Sequence, residues 1–244
     1  MDLFSGHAAS YARYRIDYPA ALFEYVLRYV PDRQTAWDCA TGNGQAAVAL
    51  ADHFAQVEAT DISRRQLENA TQRPNITYRI CPAESTPFAE AQFDLITVGQ
   101  ALHWFDVPAF HAEANRALKP TGVLAEWGYG LNTVSVPIDE VLQHLYHDVL
   151  GPYWNPMRRH IETEYRQLDF PFTQPEYARF EARREWSLDE YLNYLRTWSA
   201  VQTYITTHGH DPVEALAPNF ARLWGQETRL VRFPIFLRLG KSRG

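Results

Sequence analysis

From about residue 20 to 130, short apolar runs alternate with longer amphipathic ones, and this alternation constrains the fold more than any other feature of the chain. In residues 20–30, Leu22, Phe23, Val26, Leu27 and Val30 recur at helical spacing. Thr35 to Ala40 is a short buried run ending in a glycine-rich turn, residues 45–54 read as a helix, and Gln56 to Thr60 as a strand. Asp61-Ile62-Ser63 opens another helix, with either Ser63 or Asp61 able to cap it. Ile76 to Ile80 and Phe93 to Gly99 (FDLITVG) are further strands. A helix over residues 107–118 stops before the turn Lys119-Pro120-Thr121-Gly122, and Val123 to Trp127 is the fifth strand. Such a βαβαβ series predicts an α/β fold, a doubly wound, mostly parallel sheet with helices on both faces. Right-handed crossovers then gather the carboxyl ends of the strands along one edge, where ligands bind.

Beyond the fifth strand the rhythm breaks. Residues 131–180 are aromatic, contain prolines and show no clear strand signal, so they read as an insertion covering the ligand edge. Leu188 to Thr206 reads as one amphipathic helix opened by Ser187 and Asp189, and Pro212 to Trp224 as another. Thr228 to Leu239 alternates as a final strand, and Pro234 within it points to an edge or a bulge. The expected organisation is one domain over 1–244, with a core of about 20–130 and 180–240 and a cap of about 131–180.

Composition narrows the partners. The 244 residues carry a net charge of -6 and no basic stripe, which argues against nucleic acid. Nearly all basic residues are Arg, with Lys119 and Lys241 the only lysines. Arg excess is compatible with an anionic small substrate, and genome composition accounts for it more simply. Two cysteines, Cys39 and Cys81, are too few for a disulfide scaffold or a thiolate metal site, and no metal is expected. No secretory pattern opens the chain and no run of 18 apolar residues occurs, so a cytoplasmic protein that does not span a membrane, monomer or homodimer, is the expectation.

The chemistry-bearing segment is Asp38-Cys39-Ala40-Thr41-Gly42-Asn43-Gly44, between the first strand and a helix. Gly42 and Gly44 let the backbone turn sharply and approach a ligand, and exposed N–H groups at the following helix start add a polarised edge. Asp61, 17 residues past Gly44, stands where a carboxylate can accept both hydroxyls of a ribose. Each feature has a plain structural use as well, a helix cap for Asp61 and a tight turn for the glycines. Together, in a strand–loop–helix–strand context, they point to a nucleoside. Gly42 to Ala47 also satisfies the dinucleotide pattern G-x-G-x-x-A. Asp38, however, would repel a pyrophosphate and suits a ligand bearing an ammonium and a sulfonium, as S-adenosylmethionine (SAM) does.

At these residues the sequence resembles class I SAM-dependent methyltransferases of the methyltransferase type 11 kind, and within them the trans-aconitate methyltransferase-like small-molecule subgroup. The segments that carry the resemblance are Trp37–Ala47, Ala59–Ser63, Ala83-Glu84 with Pro87-Phe88, Gln100–Asp106 and Arg116–Leu124, together with an aromatic-basic start at Tyr11–Pro19. It covers residues 4–130 well and the rest loosely. Pro82 stands where many relatives carry Asp, and Thr121-Gly122 where they carry Gly-Gly.

The resemblance implies a Rossmann-like sheet of seven strands with an insertion after the fifth, and SAM as cofactor. Asp38, Ala40, Gly42 and Gly44 would then surround its methionine part, with Asp61 on the ribose and Ile62 beside the adenine. Ala83 and Glu84 would bound the adenine edge, Gln100 and Ala101 would lie near the sulfonium, and Tyr11 and Arg15 would close the site. His103 is the candidate general base, with a packed turn residue as its other reading. His103, Trp104, Tyr129, Trp154 and Arg158 are the candidate acceptor contacts; Arg158 with Arg159 and His160 amid aromatics would suit an acid, and a solvated Arg face is the alternative there. The expected activity is methyl transfer to a small molecule, with O-methylation of a carboxylic acid one form of it. A nicotinamide oxidoreductase is the competing enzyme, but no Tyr-x-x-x-Lys relay accompanies the two lysines. A non-catalytic SAM-binding module is the other competitor, although Gly42, Gly44 and Asp61 are all retained.

Overall fold

A strand that is apolar on both faces is stable only between two covering layers, and the two most apolar runs of the chain occupy such positions. The computed structural model describes residues 16–243. In it β1 (Thr35–Cys39) and β4 (Phe93–Gly99) pair in parallel, and Ala36, Trp37, Leu95, Ile96 and Val98 are fully buried. With β2 (Gln56–Asp61), β3 (Ile76–Ile80), β5 (Leu118–Tyr129), β6 (Thr173–Trp186) and β7 (Arg229–Lys241), they form a seven-stranded sheet of order β3-β2-β1-β4-β5-β7-β6. The first five strands pair in parallel, and β7 pairs antiparallel with β5. Helices α1 (Ala20–Leu27), α2 (Gln45–Ala51), α3 (Arg64–Glu68) and α4 (Val107–Ala117) alternate with these strands. The mostly parallel, Rossmann-like sheet expected from the sequence is present.

Four local expectations are corrected. β6 falls largely inside the stretch read as strandless, because TQPEYARFEARREW alternates charged with aromatic residues on an edge strand that stays mostly exposed. β5 begins at Leu118 rather than Val123, the turn Lys119–Gly122 being absorbed as a register shift against β4. The helix read over 188–206 is two, α7 (Leu188–Arg196) and α8 (Ser199–His208). Thr197 Oγ1 bonds back to the Tyr194 carbonyl at 2.6 Å, and the extended Trp198 buries its ring at the break. Finally, β7 is an interior strand despite Pro234. That proline sits between Ile235, where pairing with Tyr129 ends, and the Thr133–Arg232 bridge, so no ladder bond is asked of its missing N–H.

The described chain divides into two compact units. One comprises residues 17–130, 159–180, which open with the short helix α6 (Arg159–Glu162), and 235–243. Its core joins Trp37, Phe88, Phe93, Phe110, Leu124, Tyr165 and Phe236. Across β5 and β7 it buries a charge pair: Arg238 Nε donates to Glu126 Oε2 at 2.6 Å, and His111 Nε2 lies 2.8 Å from Glu126 Oε1. The other unit comprises Ile16, 131–158 and 181–234. It holds α5 (Val136–Gln143), α7, α8 and α9 (Pro212–Trp224), and its core includes Tyr191 stacked on Trp224 at 4.8 Å. Among the described residues no helix is long and apolar enough to cross a membrane.

Candidate functional site

In the order β3-β2-β1-β4-β5 the chain reverses direction of progress at β1/β4, and ligands of such sheets lie beyond the carboxyl ends of the strands at that point. Here the backbone is strained on both sides. Ala40 after β1 (φ 54°) and Gln100 after β4 (φ 56°) are both left-handed without being glycine. Such residues cost about 1–3 kcal/mol each and cluster where ligands are held. Between β1 and α2, Gly44 is left-handed (φ 88°), which favours glycine, and a Cβ there would have to displace the Tyr78 hydroxyl.

Asp38, expected beside a cationic ligand, is instead turned toward protein donors and is 1 % exposed. Its Oδ2 accepts from the Thr41 hydroxyl and from the Ala47 N–H at 3.0 Å, and its Oδ1 from the Thr97 hydroxyl at 2.8 Å. Burial raises its pKa to about 6 against the lowering effect of those three bonds. The carboxylate ties β1, β4, the glycine loop and the first turn of α2 together. Thr41 and Thr97 are therefore part of the machinery, and sequence reasoning missed them. The sole signal was a hydroxyl at position 97 inside the apolar run FDLITVG.

Asp61, the last residue of β2, reaches across to the loop. Its Oδ2 accepts the Gly42 N–H at 2.9 Å and its Oδ1 the Ser63 N–H at 2.8 Å. Ser63 is the residue that caps α3, its Oγ accepting from Gln66 N. Ile62 (64 % exposed) and Ile80 (50 % exposed) present apolar surface at the ends of β2 and β3. Ala83 is buried, and Glu84 Oε1 accepts from the Asp106 N–H at 3.1 Å. The structure thus brings Asp38, Ala40, Gly42, Gly44, Asp61 and Ile62 to one sheet edge.

After β4, Gln100 spends its amide on β5: Oε1 accepts from Tyr129 N at 2.7 Å and Nε2 donates to Tyr129 O at 3.4 Å. Gln100 and Tyr129 are thus a clasp between two strand ends. Ala101 and His103 are buried, and Trp104 is 36 % exposed. The His103 ring, 3 % exposed, has Nδ1 at 3.4 Å from the Tyr165 hydroxyl. Tyr165 and its neighbour Glu164 are again left-handed (φ 58° and 52°), and Arg238 Nη1 donates to the Tyr165 carbonyl at 2.9 Å. Tyr165 lies in a stretch with no recognisable element signal, so its contact with His103 was not readable.

In the other unit, the structure does bring Trp154 and Arg158 together. The Arg158 guanidinium carbon stands 4.2 Å from the centre of the Trp154 ring. Tyr11 and Arg15 lie outside the described residues.

A strained switch point, a glycine loop and an acid closing β2 onto that loop define a nucleoside-binding α/β protein. Residues 37–125 match the family described as methyltransferase domain. A Dictyostelium discoideum protein bearing the name of a methyltransferase is 30% identical over 250 residues, 99% of this chain and 95% of its own. A solved Anaeromyxobacter dehalogenans protein, titled a type II methyltransferase, is 39% identical with a TM-score of 0.86, over 93% of this chain and 98% of its own. A Haemonchus contortus phosphoethanolamine N-methyltransferase, solved with phosphomonomethylethanolamine and S-adenosylhomocysteine, shares the fold alone: 16% identity, TM-score 0.54, over 98% of this chain and 58% of its own. The chain belongs to the class I SAM-dependent methyltransferases.

Proposed function

We propose that this chain transfers the methyl group of SAM to a small-molecule acceptor, and that the acceptor is a carboxylic acid methylated on oxygen. The observation that carries the cofactor reading is Asp61, its plane fixed by the Gly42 and Ser63 N–H groups at the switch point. A carboxylate so held is preorganised to accept the hydroxyls of a ribose. Ile62 offers an exposed apolar face to the adenine, and Ala83 with Glu84 bounds its edge. Ala40, Gly42 and Gly44 give the backbone its close approach to the methionine part, with Asp38 holding that loop from beneath. Ala101 and the strained Gln100 flank the reacting end. Tyr11 and Arg15 are proposed to close the site, and Trp104, Tyr129, Trp154 and Arg158 to contact the acceptor.

When bound, SAM supplies a methyl carbon on a sulfonium; an acceptor lone pair forms the new bond as the C–S bond breaks and its electrons return to sulfur. The protein's part is alignment, which can lower such a barrier by roughly 7–11 kcal/mol at the upper end. His103, buried against Tyr165, supports an acceptor that brings its own charge. A carboxylic acid is ionised at neutral pH and needs no base. His103 is kept as the base for a phenol or alcohol. The small-molecule reading rests on the acidic balance, net charge -6. A hydride-transfer reading gains nothing from the lysines: Lys119 is paired with Asp94 at 2.7 Å, and Lys241 ends β7.

The test is transfer of a labelled methyl group from SAM to a panel of carboxylic acids, phenols and amines of similar size. The expected product is a base-labile methyl ester that releases labelled methanol. Label found only in alkali-stable ethers or amines would overturn the carboxylate acceptor while leaving the cofactor reading intact.

A further inference from the structure

Arg158 is held by aromatic side chains rather than by acids. α5 runs without a break into a π-helical turn, His144–Val149, in which the Leu150 N–H reaches back five residues to the Leu145 carbonyl at 2.9 Å. Single π turns of this kind recur at functional sites, because they re-aim a side chain that a regular helix would point elsewhere. The side chain placed here is Tyr146. Its backbone carbonyl accepts from Trp154 Nε1 at 3.0 Å, and its hydroxyl accepts from Arg158 Nε at 2.9 Å. The guanidinium lies 4.2 Å from the Trp154 ring centre and 5.4 Å from that of Tyr146. Trp198 backs the rings, 5.5 Å from Trp154 and 5.9 Å from Tyr146.

Two aromatic rings and one hydrogen bond therefore fix the plane of this guanidinium, and none of them is an acid. Arg196 in the same unit is saturated by Asp211 and Glu214. Among the described residues Arg158 has no carboxylate partner, and its Nη1 and Nη2 have no acceptor. An ordered guanidinium with its paired Nη edge unused matches a carboxylate in geometry and charge, and its aromatic walls add area for a flat apolar body.

We propose that Arg158 is an anion fork for a planar, carboxylate-bearing ligand, whose carboxylate meets the Nη edge while its flat body lies along the Trp154 and Tyr146 rings. This rests on the carboxylic-acid reading given above and names the group that recognises the acid.

Calorimetric titration of benzoate, with its neutral isostere benzamide alongside, tests the fork in the wild type, Arg158→Gln and Arg158→Lys. Benzoate is expected to bind the wild type at least tenfold more tightly than benzamide. Arg158→Gln should erase that preference, and Arg158→Lys, which keeps charge without the fork, should retain part of it. Affinity for S-adenosylhomocysteine, titrated separately, should be the same in all three. That titration also reports folding, and it separates failure of the fork from failure of the cofactor reading. A wild type with no preference for benzoate, or a preference that survives in Arg158→Gln, would overturn the fork.

Discussion

Asp38 shows how one buried group both holds a ligand loop and costs stability. Its carboxyl titrates near 6 when folded, burial being the main cause, whereas an Asp in an unfolded chain titrates near 3.9. Between those values the folded chain binds the proton more tightly. The contribution of Asp38 is therefore most favourable below about pH 4 and is lost as pH rises through about 6, a loss of about 3 kcal/mol at about 1.4 kcal/mol per pH unit. At neutral pH the ionised carboxylate is held in place by Thr41, Thr97 and the Ala47 N–H. Asp38→Asn removes this dependence. Urea unfolding at pH 4 and pH 7 should show the wild type losing about 2 kcal/mol relative to the variant, since an unfolded Asp is already half ionised at pH 4. Curves that stay parallel would mean that the folded carboxyl titrates normally.

At the scale of the element, the pairing of β5 with β7 rests on more than its ladder. Glu126 and Arg238 face each other in register and are almost wholly buried, with His111 of α4 on the second carboxylate oxygen. Arg238 Nη1 also donates to the carbonyls of Tyr165 and Leu168, tying the left-handed Glu164-Tyr165 corner to the sheet. Removing one partner of such a pair strands the other charge at a cost of about 3–5 kcal/mol. Arg238→Met should lose about that much in urea unfolding, and adding Glu126→Gln, which keeps an acceptor for His111, should recover more than half. Equal stability of the single and double variants would contradict the assignment.

The sheet also marks the boundary of what could be read from sequence. β1 and β4 are apolar on both faces and announce themselves; β6 does not, because an edge strand keeps Arg179, Glu181 and Arg183 in solvent and its identity comes only from pairing. Ser187 was readable as a helix start, and the capping box with Glu190 is present. The break at Trp198 was not, since its ring is ordered by Tyr146 and Trp154 from distant sequence.

Over the whole molecule the legible part was the parallel sheet and the segments along its ligand edge: Asp38, the glycines and Asp61 are local in sequence, and their spacing is dictated by strand and turn lengths. What lay beyond reach was how those side chains are used. Nothing local to Asp38 says that it looks inward, because its partner Thr97 arrives from the neighbouring strand 59 residues away. Nothing local to His103 names Tyr165, 62 residues on.

The proposed hold of Asp61 on SAM at the β1/β4 edge can be tested by thermal unfolding with S-adenosylhomocysteine and, in parallel, with NADH. At about a hundred times the dissociation constant a ligand adds about 2.7 kcal/mol, which for a chain of this size raises the midpoint by roughly 5–10 °C. That rise is expected with S-adenosylhomocysteine alone and should be lost in Asp61→Ala. No rise with it, or a rise only with NADH, would rule out SAM binding at this edge.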